Sequence, residues 1–127
     1  MATLAAARIP LDFFQALQHH HYDKVWSMLS RRSQSVIVRL LAQNLPHDTI
    51  SSLEVAFAQA KEPAITYWKH FAASLDLNHW IQQQYQSLAE SEGEVLVKCS
   101  PSGVHLRIIH EPQGWKFGYI ETFMDAH

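Results

Sequence analysis

His110, Tyr119 and Glu121, close to the C-terminus, are the residues whose types and spacing can do acid–base chemistry. Read as part of a last strand, Tyr119 and Glu121 lie on one face, because side chains two apart along a strand point the same way. His110 falls on the strand before it. A carboxylate pushed into an apolar cavity has a raised pKa and can act as a general base, with a tyrosine hydroxyl donating a hydrogen bond. The reaction class would be an isomerisation or a dehydration. The blander reading places Glu121 where the strand reaches solvent and buries only the ring of Tyr119. Trp26, Trp68, Trp80 and Trp115 are candidate walls for such a pocket, although aromatic residues at helical or strand spacing are more often core.

Three other sets of residues invite a chemical reading. His19, His20 and His21 are consecutive, and on a helix consecutive side chains diverge by about 100°, so they cannot all ligate one ion. Distant partners such as His70 or His110 would be needed, and no HxxxH or HxxE spacing supplies them, so no metal is expected. Cys99 has no base beside it in sequence and no helix N-terminus to lower its pKa, so it reads as a small buried hydrophobe. Arg31 and Arg32, flanked by Ser30 and Ser33, can receive an anion at the start of a helix. A solvated loop is the alternative there.

These residues must be positioned by two kinds of element. Residues 11 to 90 show helical periodicity in short blocks. Leu11, Phe14 and Leu17 form one stripe and Val25, Trp26 and Leu29 a second, which predicts two short helices in an angled hairpin around the histidine run. Ser33 is a candidate cap for a third helix with Val36, Ile37, Leu40 and Leu41 on one face, ended by Pro46. Asp48 is a candidate cap for a fourth, carrying Ile50, Leu53, Phe57 and Ala60. Pro63 suits the first turn of a fifth, with Ile65, Trp68, Ala72 and Leu75. A sixth pattern, Leu77, Ile81, Tyr85 and Leu88, has Asp76 or Asn78 as its cap. Residues 78–90 remain open between helix and strand.

From Glu94 the period changes from 3.6 to 2. Two turns of matching shape, Ser100-Pro101-Ser102-Gly103 and Glu111-Pro112-Gln113-Gly114, join three strand-like runs into an antiparallel meander. Four-residue loops place Val97 opposite Leu106 and Leu106 opposite Tyr119, with Val95, Ile108 and Phe117 in the neighbouring row. Three-residue loops would set Lys98 against Leu106 and Arg107 against Tyr119, mixing polar and apolar faces. The expected inner face is Val95, Val97, Cys99, Val104, Leu106, Ile108, Trp115, Phe117 and Tyr119. The outer face mixes Leu96, Ile109 and Ile120 with Lys98, Arg107 and Lys116. The fold class is therefore α+β, N-terminal helices packed on one face of a C-terminal antiparallel meander of at least three strands, with a cystatin-like arrangement as a candidate form.

Composition bounds the function. A chain of 127 residues suits a single domain spanning 1–127, and 47% hydrophobic content can fill its core. Ten basic against twelve acidic residues give a formal charge of −2, which provides no electrostatic footprint for nucleic acid and no polybasic membrane patch. Arg8 and Pro10 interrupt the apolar N-terminal run before it reaches signal-peptide length, and no apolar stretch is long enough to span a bilayer. With a single cysteine, a reducing cytoplasm is the default.

The stretch Asp12-Phe13-Phe14-Gln15-Ala16-Leu17, followed by Tyr22-Asp23-Lys24-Val25-Trp26-Ser27-Met28-Leu29-Ser30, resembles the opening of the nuclear-transport-factor-2-like, or SnoaL-like, superfamily. Gly114-Trp115-Lys116-Phe117-Gly118 resembles its terminal strand, where a tryptophan-lysine pair commonly follows a turn. The resemblance implies a cone of helices against a curved sheet, while residues 33 to 90 read as helical where that group interposes strands. No catalytic residue carries over, because enzymes of the group place different residues around the cavity.

Three functions follow as expectations. The first is a non-catalytic binding or interaction domain that forms a homodimer through Leu96, Ile109 and Ile120 on the outer sheet face. The second is a small-pocket isomerase- or dehydratase-type enzyme using Glu121 and Tyr119. The third is a carrier for a small apolar molecule. No cofactor is expected in any of them.

Overall fold

The computed structural model describes residues 2–124, with side chains from Ala5 onward. Helices α1 (Ala2–Gln18), α2 (Tyr22–Ser27), α3 (Arg31–Asn44), α4 (Ile50–Ala58), α5 (Ala64–Ala73) and α6 (Leu77–Gln82) precede strands β1 (Gln84–Ser91), β2 (Glu94–Ser100), β3 (His105–Glu111) and β4 (Gly114–Gly118). A short helix, α7 (Tyr119–Phe123), follows the last strand. The fold is α+β, a helical half followed by an antiparallel sheet in the order β1-β2-β3-β4. Among the described residues no helix is long and apolar enough to cross a membrane.

Helix punctuation follows side-chain chemistry, with two caps differing from the sequence expectation. Helix α1 has 17 residues and runs through Pro10, so the first helix of the hairpin is not short. It ends because His20 takes a left-handed conformation, φ 62°. Thus His19 and His20 form a turn and His21 precedes α2. The cap of α3 is Ser30, whose side chain accepts from the Ser33 N–H, leaving the Ser33 hydroxyl for another partner. The cap of α4 is Thr49, not Asp48, since Thr49 and Ser52 satisfy each other's backbone N–H in a capping box. Asp76 caps α6 by accepting from the His79 N–H.

The ambiguous 78–90 stretch divides: a short helix closes at Gln82 and a fourth strand begins at Gln84. It turns into β2 through Glu92 and Gly93, both at positive φ (49° and 80°), the conformation of a type I′ hairpin that a glycine accommodates without a Cβ penalty. Val97 pairs with Leu106, Val95 with Ile108, and Ile108 with Phe117, as the loop-length argument requires. Val95, Val97, Cys99, Leu106, Ile108 and Phe117 are fully buried beneath the helices, with Phe13 and Leu17 of α1, Phe57 of α4 and Trp68 of α5 in the same core.

The end of the chain departs from the expected strand. Leu106 has no strand partner in Tyr119, because the ladder stops at the Arg107–Gly118 pair and Tyr119, Ile120 and Glu121 enter α7. Side-chain oxygens replace the ladder: Thr122 Oγ1 accepts from the Arg107 N–H at 2.8 Å and Ser33 Oγ from the Ile120 N–H at 3.0 Å. Gly118 makes the turn possible, as a Cβ there would lie 2.7 Å from the Arg107 carbonyl oxygen. Ile120 is consequently buried at 3% exposure and leaves the outer-face patch, which keeps Leu96 and Ile109. Between them the Arg107 guanidinium forks onto Glu94, with N···O distances of 2.5 and 2.9 Å, so the centre of that face is ionic.

Candidate functional site

Helix α7 carries the residues with the greatest chemical interest, and it sends them to two different places. Glu121 turns toward the N-terminus of α3. Its Oε1 accepts from the Ser30 hydroxyl at 2.9 Å and from the Ser33 hydroxyl at 3.0 Å. Each of those hydroxyls also accepts one backbone N–H, Ser30 from Ser33 at 3.1 Å and Ser33 from Ile120 at 3.0 Å. Every member of the cluster is buried and bonded. A second carboxylate, Glu111, accepts from the Arg31 N–H at 2.8 Å. The anion that the Ser30-Arg31-Arg32-Ser33 run suits at a helix N-terminus is thus furnished by the chain's own Glu121 and Glu111.

Tyr119 turns the other way, into an aromatic pocket of about 200 Å³ lined by Phe14, Phe71, Leu75, Trp80, Phe117, Tyr119 and Phe123. Helical spacing delivers Phe14, Phe71, Trp80, Tyr119 and Phe123 from α1, α5, α6 and α7, the α5–α6 connection supplies Leu75, and β4 supplies Phe117 at the base. Phe14 stacks on Trp80 with ring centres 5.2 Å apart, and Tyr119 meets Phe71 edge-on at 5.3 Å. Phe123, 41% exposed, stands 5.4 Å from Tyr119 at the rim. Beyond Tyr119 a second hollow of about 240 Å³ lies between α3, α5 and α7, with Ile37, Leu41, Tyr67 and Ile120 among its walls and Leu40 and Met124 exposed at its margin. Tyr119 is common to both.

The polar groups of these two hollows are phenols, an indole and an amide. Burial raises the Tyr119 hydroxyl above its ordinary value, and burial together with the neighbouring Tyr119 pushes Tyr67 up to about 12. Both stay protonated at neutral pH and can donate a hydrogen bond, but neither can serve as a base there. No carboxylate, histidine, lysine or cysteine is among the residues lining either hollow.

The remaining sequence candidates are dispersed. His110 is exposed, with its ring 4.7 Å from that of Trp115 on the neighbouring strand. Trp26 is buried against Phe57 of α4 in a stack at 4.5 Å. Trp68 is fully buried, and its indole N–H has no hydrogen-bond partner among the described residues. Of the six pocket candidates Tyr119, Glu121, His110, Trp115, Trp26 and Trp68, the aromatic pocket therefore takes Tyr119. Cys99 is buried, and desolvation pushes its thiol up to about 11, which makes it a poor nucleophile at neutral pH. Among the described residues no group of three His, Cys, Asp or Glu is arranged to hold a metal ion.

Trp80, one of the four tryptophans that the sequence offers as pocket walls, lines the pocket, whereas Phe14, Phe71, Leu75, Phe117 and Phe123 line it without having been singled out for that role. Their signal was present as apolar periodicity, which looks the same for a pocket wall and for a core. Comparison with protein-family models, with characterised proteins and with solved structures finds no match to this chain.

Proposed function

We propose that this chain is a non-catalytic binding domain of the nuclear-transport-factor-2-like type that holds one small apolar or aromatic molecule between α1, α5, α6, β4 and α7. The observation that carries this reading is the half-open pocket walled by Phe14, Phe71, Leu75, Trp80 and Phe117, with the Tyr119 hydroxyl as its polar handle. Ligand pockets generally combine such apolar walls with a few polar groups. Its volume of about 200 Å³ exceeds the roughly 150 Å³ that accepts a benzene-sized guest and is smaller than typical drug-sized sites, so the ligand is a compound of one or two rings. An isomerase or dehydratase of the kind the sequence suggested needs its carboxylate in the pocket, and Glu121 is instead committed to Ser30 and Ser33. The unpaired, buried Cys99 suits a reducing cytoplasm.

The test uses 2-naphthol as probe, with tryptophan fluorescence and calorimetry as readouts. Saturable binding of one equivalent is expected, with quenching lost in Trp80→Phe although heat is still released. Leu75→Trp, which fills the pocket, should abolish binding while the melting transition persists. Absence of saturable binding up to the probe's solubility limit, or binding that survives Leu75→Trp, overturns the reading.

A further inference from the structure

Tyr67 and Tyr119 reach one hollow from different elements. Tyr67 lies on α5 four residues before Phe71, so helical spacing sets the two on one face, and their rings stack with centres 6.4 Å apart. Tyr119 of α7 meets the same Phe71 ring edge-on at 5.3 Å. Both phenols are thus anchored on a single aromatic ring, and both line the hollow of about 240 Å³ between α3, α5 and α7. Only Tyr119 of the pair also lines the aromatic pocket. The two are close enough that Tyr119 helps to hold the Tyr67 hydroxyl protonated.

The fold makes no use of either hydroxyl. Neither has a hydrogen-bond partner among the described residues. The fully enclosed side-chain atoms left without one are the Trp68 indole nitrogen and the Gln83 amide nitrogen, so the two phenol oxygens keep accessible surface. The rest of the wall contrasts with the aromatic pocket. Ile37, Leu41 and Ile120 stand inside, with Leu40 and Met124 exposed at the margin, and all five are aliphatic. The remaining polar group, Asn44, already donates its Nδ2 to the Leu40 carbonyl at 3.2 Å. No cation is among the lining residues, so a carboxylate entering here would give up hydration without gaining a partner. A neutral carbonyl gives up less, and its two lone pairs can accept from two hydroxyls.

We propose that this hollow is a second ligand site, separate from the aromatic pocket, which takes a neutral aliphatic compound and holds its carbonyl oxygen with the Tyr67 and Tyr119 hydroxyls. Its volume of about 240 Å³ exceeds the roughly 150 Å³ that accepts a benzene-sized guest, which suits a saturated ring or a short branched chain. Leu40 and the flexible Met124 at the margin can close over such a guest. The proposal does not depend on what the aromatic pocket binds, because Tyr67, Ile37, Leu41 and Ile120 belong to this hollow alone of the two.

Titration of the full chain with camphor, a neutral alicyclic ketone, tests it by methyl NMR and calorimetry. Saturable shifts are expected at the Ile37, Ile120 and Met124 methyls. Tyr67→Phe keeps the ring on Phe71 and removes one donor, so camphor should bind about threefold to tenfold more weakly, while 2-naphthol in the aromatic pocket is unaffected. Leu41→Trp, which fills the hollow, should abolish camphor binding with the melting transition retained. Cyclohexanecarboxylate should shift none of these methyls. Absence of saturable shifts up to the solubility limit of camphor overturns the proposal, as does a Tyr67→Phe variant that binds camphor as tightly as the wild type. Camphor shifts confined to the Leu75 methyls would place the ketone in the aromatic pocket and overturn it too, and cyclohexanecarboxylate binding as tight as that of camphor would overturn the assignment to neutral ligands.

Discussion

Glu121 and Tyr119 are two residues apart on α7, yet one ends in a saturated polar cluster and the other in a half-open aromatic pocket. The carboxylate, the more reactive group by type, has its Oε1 bonded by two buried hydroxyls and ties α7 to α3. The phenol, unreactive at neutral pH, is the group with room for a ligand beside it. Chemical potential in a side chain and availability for chemistry are thus separated by local geometry. The groups whose needs are met inside the fold hold it together, and those left with space beside them are open to a ligand.

If that division holds, the largest losses of stability come from the side chain that serves both regions. Phe117 is fully buried, lies 4.9 Å from Phe13 between ring centres, and forms the floor of the pocket, so Phe117→Ala should cost about 3–5 kcal/mol in denaturant unfolding. A cost under about 1 kcal/mol would mean that the pocket floor is not part of the core. Glu121→Ala comes next. Two hydrogen bonds to the carboxylate disappear, and the buried Ser33 hydroxyl loses its acceptor while the Ser30 hydroxyl keeps the Ser33 oxygen at 2.9 Å, which predicts about 2–4 kcal/mol. Binding of 2-naphthol by the folded fraction should be unchanged. A variant that keeps full stability but loses binding would reverse the roles assigned to the two regions.

The sheet half of this fold was legible in the sequence because period-2 alternation and loop length constrain each other. One register keeps Val97, Leu106, Val95, Ile108 and Phe117 on the apolar side, and the strands adopt it. What was not legible is α7. Tyr119-Ile120-Glu121-Thr122-Phe123 is rich in aromatic and β-branched residues, which favour strands. It turns helical because Ser33 and Thr122 supply long-range hydrogen bonds that no local pattern announces. That single change moved Ile120 from the outer face to the interior and Glu121 from a cavity to the serines. Strand β1 was ambiguous for a related reason, since Tyr85 and Leu88 fit a helical stripe as readily as a strand. Of the aromatic pocket only Tyr119 and Trp80 were legible, because its other walls obey the same periodicity as the core.

Cys99 offers a smaller effect, tied to pH. Burial raises its thiol from an ordinary value near 9 to about 11, so the folded state holds the proton over a range in which the unfolded chain releases it. This contribution to stability is complete below about pH 9 and is lost as pH rises toward about 11. Urea midpoints measured across that range should fall, and Cys99→Val should fall less steeply over the same interval. Equal slopes for the two proteins would show that the thiol does not sense burial.

The smallest effect, and the one that bears most directly on the comparison between Glu121 and Tyr119, is Tyr119→Phe. The ring is packed against Phe71, Phe117 and Phe123, and the substitution keeps all of those contacts. The hydroxyl has no hydrogen-bond partner among the described residues, so removing it leaves no donor or acceptor orphaned. Stability should change by less than about 0.5 kcal/mol, in contrast to Glu121→Ala. Ligand binding is where the hydroxyl would register: 2-naphthol should lose about threefold to tenfold in affinity if Tyr119 donates to or accepts from its hydroxyl, whereas naphthalene should bind both proteins alike. Equal losses for the two probes would assign Tyr119 a shape role only. A stability loss comparable to that of Glu121→Ala would mean that the phenol is bonded within the fold after all, and the contrast between the two residues would disappear.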